Sequence, residues 1–163
     1  MTMRSFSTII NSLELNPTFV VDLAQEFPPD KRMEHVKLGK WSALEHIAHL
    51  ARVGPLFSAR LKQMIEHPDR QIVPYDPEAD DMHLLREADW DEALNTYQWD
   101  RAAFISQLRE VDPHSWERPV IHPEYSHYSI RIMARHLAMH DLFHAYRIEE
   151  LLFAVRALSG KSE

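Results

Sequence analysis

Residues 129–160 read SIRIMARHLAMHDLFHAYRIEELLFAVRALSG. Their apolar side chains recur every three or four positions, as a helix with one buried face requires. At 100° per residue from Met133, the side chains of Leu137, His140, His144, Ile148, Leu151, Val155 and Leu158 fall within roughly 60°. Arg131, Arg135, Glu149 and Arg156 fall on the far side. Ser129 can cap the start of this helix and Ser159-Gly160 can end it. The wheel therefore predicts one long amphipathic helix that carries two histidines inside its apolar stripe.

Working outward, 10 Pro against 3 Gly suggest long helices punctuated by proline rather than a sheet with tight turns. An N-terminal helical segment is expected at about 5–26, interrupted by Asn16-Pro17 and ended by Phe27-Pro28-Pro29-Asp30. A second helix begins at Ser42-Ala43-Leu44-Glu45, whose Ser-x-x-Glu spacing lets hydroxyl and carboxylate each satisfy a backbone donor of the first turn. It runs to about Glu66, with a kink expected at Gly54-Pro55. Its apolar stripe holds Leu44, Ile47, Leu50, Ala51, Leu61 and Ile65. Residues 68–90 read as a long connection, with an acidic, solvated segment at Glu78–Asp81. Asp91 is placed to cap a third helix reaching Val111, with Leu94, Tyr97, Arg101, Phe104, Ile105 and Leu108 on one side. Pro113, Pro119 and Pro123 keep the chain irregular until Ser129. The fold class expected is all-α, a four-helix bundle with a long crossover connection, in one domain over residues 1–163.

Composition narrows the chemistry. The 163 residues are enough for a sizeable core, and 45% hydrophobic against 26% charged residues fits a globular chain. A net charge of −7 argues against nucleic acid, whose phosphates demand clustered Lys and Arg. No apolar run is long enough to span a membrane, and the N-terminus lacks a secretory signal, so a cytoplasmic location is expected. With no Cys and 11 His, any metal must be held by His, Asp or Glu.

His140 and His144 are one helical turn apart on one face, so their rings can converge on one ion at about 2.0–2.1 Å. Spacing alone is weak evidence in a chain with 11 His. One histidine in an apolar stripe is more often a hydrogen-bonded core residue than a ligand. Two stacked in the same stripe tip the balance, because burying both unpartnered costs about 1–3 kcal/mol each. His136 sits at the stripe's edge, a second-layer or surface residue. A third ligand must come from another helix, where His46 and His49 are both available, and the wheel does not choose between them. His49 lies off the main stripe beside Val53, Leu56 and Arg60, which periodicity alone reads as half-exposed.

The sequence Trp41-Ser42-x-x-Glu45-x-x-x-His49-Leu50, followed by His140-Asp141-x-x-His144, resembles the DinB/YfiT-like superfamily, particularly its DinB-like branch. The likeness extends over nearly the whole chain, including Trp90 to Trp116 and the loop from Arg118-Pro119 through His122-Pro123. It implies a four-helix bundle with a three-histidine metal site: His49 from the second helix, His140 and His144 from the fourth. It further implies Zn²⁺ or Ni²⁺ with an open coordination position, a low-molecular-weight thiol as co-substrate, transferase or hydrolase chemistry on a small molecule, and a homodimer. Many members have no known activity, so a non-catalytic metal- or ligand-binding bundle is the alternative. Arg147 stands where members often have Gln, and Ser126 where glycine is common. At about −40° on the wheel Arg147 lies near both histidines, so it is a candidate for binding a carboxylate or the acidic group of a thiol cofactor, against the plainer reading of a side chain that snorkels to water or pairs with an acidic residue.

Three histidines would leave an ion its full charge, able to lower the pKa of water toward about 7 or to hold a thiolate. No general acid or base stands out, since Asp141 points about 100° away from His140 and suits a supporting role. His-Asp-x-x-His differs by one residue from a metalloprotease motif, but its Asp is a methylene short and no further ligand pattern follows. The four Trp are expected to pack the bundle. His122 can line the mouth of a cleft; His35, His67, His83, His114 and His127 receive no role.

Overall fold

The computed structural model describes residues 4–74 and 82–159; Glu78–Asp81, read above as a solvated loop, lie outside the described residues. The described elements are α1 (Arg4–Gln25), α2 (Ala43–Glu66), a short α3 (Met82–Arg86), α4 (Trp90–Arg109) and α5 (Ile130–Ser159), with one 3-10 turn at Pro29–Lys31. The four long helices match the sequence reading closely, and α3 adds a turn and a half of helix inside the long 68–90 connection.

Two boundaries differ from expectation. Helix α1 runs through Asn16-Pro17 unbroken. Proline forfeits one backbone bond there, but Leu13, Val20 and Leu23 are buried on either side, and Asn16 donates its amide to the Ala138 carbonyl of α5 at 2.8 Å. Helix α4 starts two residues earlier than Asp91 implied. Its cap is Asp89, whose carboxylate accepts the Glu92 N–H at 2.8 Å, while Asp91 lies in the first turn, where an acidic side chain favours the helix dipole. The Ser42–Glu45 capping box forms as read, Ser42 N–H donating to the Glu45 carboxylate at 2.6 Å and Glu45 N–H donating to the Ser42 hydroxyl at 3.2 Å.

Helix α2 packs on α4 and α5, and α1 packs on the same two. The sequence neighbours α1 and α2, and likewise α4 and α5, are therefore diagonal, which is why the connections 26–42 and 110–129 are long enough to cross the bundle's ends. Gly54 sets the approach of α2 to α4: a Cβ added there would stand 2.6 Å from the Cβ of Asp100. On α5 a second buried face, Ala134, Ala138, Asp141, Ala145 and Leu152, complements the stripe read from Met133. Its small residues let α5 lie close to its neighbours. Ile65 and Leu158, counted with the stripes, are exposed at the ends of their helices, beyond reach of the core.

The apolar core has two halves. One gathers Leu13, Phe57, Leu61, Phe104, Met133 and Leu137; the other Val20, Ile47, Leu50, Tyr97, Ile148 and Leu151. Between them in every long helix stands a polar position: Asn16, His49, Arg101, and the trio His140, Asp141 and His144. Arg101 and Asp141 are fully buried and joined by two hydrogen bonds, Nε at 3.0 Å and Nη2 at 2.6 Å. A buried guanidinium needs such a bidentate partner.

Candidate metal site

Helix α2 turns His46 and His49 toward α5, and α5 turns His140 and His144 toward α2. His49 Nε2 lies 3.2 Å from His140 Nε2, and His144 Nε2 lies 3.2 Å from the same atom. One ring nitrogen from each of His49, His140 and His144 lies within 4.8 Å of the other two, a group that could hold a metal ion. Ligands at about 2.0–2.1 Å around a tetrahedral ion sit about 3.3 Å apart, the spacing that two of these three pairs have. His49 is buried rather than half-exposed. Periodicity misjudged it because the loop before α2 and the side of α5 cover a flank that a single-helix wheel counts as open.

Burial disfavours charge on the rings of His46, His140 and His144. Burial, then the neighbouring imidazoles and Arg101, pull the His140 pKa from an ordinary 6.5 to about 3. Burial, His49 and Arg147 outweigh Glu45 and pull His46 to about 4. His144 is pulled further still by burial and by three flanking imidazoles. A neutral ring keeps the lone pair that a metal needs.

His46, which the sequence left open as a ligand, has another place. Its Nδ1 is 2.9 Å from His144 Nδ1. Were His144 Nε2 to hold a metal, its Nδ1–H would donate to His46, which would fix tautomer and ring orientation. Trp41 also departs from the reading given to it. Instead of packing the core it meets His49 edge-on at 5.1 Å and stacks on His144 at 6.0 Å. It precedes the Ser42 cap, and the capping box aims it across the first turn of α2. Of the other tryptophans, Trp90 and Trp116 are buried and Trp99 is exposed.

A cavity of about 590 Å³ opens on the histidines and is lined also by Lys37, Lys40, Trp41, Phe143, Arg147 and Glu150. Arg147 thus reaches the cleft, with its guanidinium 5.1 Å above the Phe143 ring and Nη1 donating to Glu150 at 2.7 Å. Lys37 reaches the same Glu150 at 3.8 Å. Among the described residues, three cations against one carboxylate make the rim locally positive on a chain of net charge −7. The loop that brings Lys37, Lys40 and Trp41 is held by His35, which bonds the Lys40 carbonyl at 2.9 Å and lies 3.5 Å from Glu45. Nothing in the sequence marked His35 for that part.

Asp141 does not support a histidine ring: its carboxylate is committed to Arg101. The protease-like reading of His-Asp-x-x-His fails for the same reason, since its acid faces the core and not the cleft. His136 is exposed, and His122 lines a smaller cavity on the other side of the histidines.

The family model of the DinB superfamily matches residues 13–148. Among solved structures the fold is similar to that of YfiT from Bacillus subtilis, described as a probable metal-dependent hydrolase with an unusual four-helix bundle topology. The TM-score is 0.84 at 19% identity, covering 98% of this chain and 90% of that one. No curated protein matches the sequence.

Proposed function

The chain belongs to the DinB superfamily, and from that premise we propose that it binds one divalent metal ion through His49, His140 and His144 and uses it on a small anionic molecule in the adjoining cleft. The observation that carries this reading is the convergence of three imidazole nitrogens, 3.2 Å apart in two of their pairs, at the floor of a cavity of about 590 Å³. Zn²⁺ or Ni²⁺ suits an all-nitrogen site. Three protein ligands beside an open cleft match a catalytic site more than a structural one closed by four.

When bound, the ion supplies a Lewis acid and lowers the pKa of a coordinated water or thiol. The chain's own residues do the rest. Lys37, Lys40 and Arg147 attract and orient an anion at the rim, Arg147 through a planar fork suited to carboxylates. Trp41 and Phe143 cover the histidines and exclude water. A low-molecular-weight thiol with an acidic group fits this division, its sulfur toward the histidines and its acid toward Arg147, and the reaction class is then thiol transfer or hydrolysis.

A second reading is supported by Glu150. It is the carboxylate lining the cleft, and Arg147 and Lys37 already engage it, so it is poorly placed to act as a base. The site then binds ion and ligand without turnover. Metal analysis of untagged protein tests the first step: the proposal expects about one equivalent, lost in His49→Ala, His140→Ala and His144→Ala. Full metal content in all three variants would overturn it. Assays of thiols with electrophilic substrates, repeated after chelation and metal return, separate enzyme from binder.

We further propose that the chain is cytoplasmic, folds as one domain and pairs with a second copy. Leu15 and Phe19 of α1 and Leu142 and Tyr146 of α5 are exposed on one outer face, and covering them is favourable at about 25 cal/mol per Å². Sedimentation showing a monomer at micromolar concentration would remove the dimer.

A further inference from the structure

The histidines have a second side. His49 and His140 line both the large cleft and a separate cavity of about 190 Å³ between α2, the start of α5 and the loop before it. Its loop wall is made of rings. His122 lies 4.7 Å from Tyr125 and 4.6 Å from Tyr128, and the two tyrosines stack with planes 14° apart. Phe57 and His136 stand on the helical side, their rings 6.4 Å apart.

Among the described residues one permanent cation enters this cavity, Arg60. Its Nη2 is tied to the Val73 carbonyl at 2.7 Å, but its Nε is buried with no hydrogen-bond partner among the described residues. Burial lowers its pKa against the opposing charges of Tyr128 and Glu124. Glu124 also lines the cavity but forms no ion pair with Arg60 among the described residues. A buried donor without an acceptor is costly, and a guanidinium donates edge-on to a carboxylate through two adjacent N–H groups. The volume equals about six waters at ~30 Å³ each, room for one ring and one carboxylate. Flat aromatic walls favour a ligand with a π-face.

We propose that this cavity is a second binding site, for a small planar carboxylate, an aromatic or conjugated acid whose ring lies among His122, Tyr125 and Tyr128 and whose carboxylate is taken by Arg60. It rests on the metal reading in one respect: such a ligand lies against His49 and His140, the same rings that are proposed to hold the ion. The cavity itself needs no ion.

Benzoate is the probe, titrated into zinc-loaded and metal-free protein and followed by NMR, with metal content measured on the same samples. The expected result is that resonances of His122, Tyr128 and Arg60 shift while those of Lys37, Lys40 and Arg147 do not. Neutral benzamide should bind at least about tenfold more weakly, and Arg60→Gln should weaken benzoate by about tenfold or more. Leu56→Trp fills the cavity without touching its charge and should abolish binding even if the Arg60 variant folds poorly. If the protein takes up no zinc yet benzoate still binds there, this site stands and the metal reading falls. Benzamide binding as well as benzoate, shifts confined to the large cleft, or undiminished affinity in both Arg60→Gln and Leu56→Trp would overturn the proposal.

Discussion

His46 shows how much a single residue can do without touching the proposed ion. It holds His144 through a bond between ring nitrogens, and loss of such a supporting partner typically costs about 10–100-fold in metal affinity. His46→Ala is therefore expected to weaken zinc binding within that range while His144→Ala abolishes it, a difference that competition with a chromophoric chelator can read. Equal loss in both variants would make His46 a ligand in its own right. Beneath the histidines, Arg101 and Asp141 show no exposure and answer each other. Removing one charge leaves the other stranded, so Arg101→Met or Asp141→Asn should each destabilise by about 3–5 kcal/mol in denaturant unfolding. A loss under 1 kcal/mol would mean that water or another side chain satisfies the survivor. At this scale the sequence was only partly legible. His140 and His144 were visible because one helix carries both at i and i+4. His46, Trp41 and His35 depend on where a loop crosses a neighbouring helix, and a wheel drawn for one helix at a time contains no such information.

At the scale of elements, capping was the most readable feature and packing the least. The Ser42–Glu45 box was plain in the sequence because the chemistry is local, a hydroxyl and a carboxylate three residues apart. It also anchors the cleft, because Glu45 accepts from Arg86 of α3 at 2.9 Å and approaches His35 of the loop that carries Trp41. Burial raises the Glu45 pKa, but the hydrogen bonds from Ser42 and Arg86 and the charge of His35 more than offset this and leave it lowered. Ser42→Ala should cost about 1 kcal/mol of stability and lower metal affinity as the start of α2 loosens; unchanged affinity would confine the box to stability alone. Gly54 was read from sequence as a kink beside Pro55. It is also the contact point of α2 with α4, where a methyl group meets Asp100 at 2.6 Å. Gly54→Ala should therefore destabilise by about 1–3 kcal/mol, against the gain that alanine ordinarily brings to a helix interior. A stabilised variant would show that the two helices separate at little cost.

For the whole molecule, a polar layer dividing two apolar halves ties stability to pH. The unfolded chain takes up protons on histidine near 6.5, whereas folded His46 and His140 resist protonation down to about 4 and about 3. Between those values the unfolded state binds more protons, so stability rises with pH. In metal-free protein it should be fully present above about pH 6.5 and lost progressively as pH falls through the range toward 4. A melting temperature flat between pH 7 and 4.5 would contradict this. The bundle itself followed from proline spacing and helical periodicity, which report burial along one element. The diagonal placement of consecutive helices did not, since it is set by how loops of 17 to 20 residues cross the ends, and composition does not encode a crossing direction.

X-ray absorption at the zinc edge of the zinc-loaded protein tests the central claim most directly. The account predicts three imidazole nitrogens at about 2.0–2.1 Å, with the multiple scattering that rings produce, and at least one exchangeable light-atom ligand. A spectrum without imidazole scattering, or with a shell completed by protein carboxylates, would contradict it.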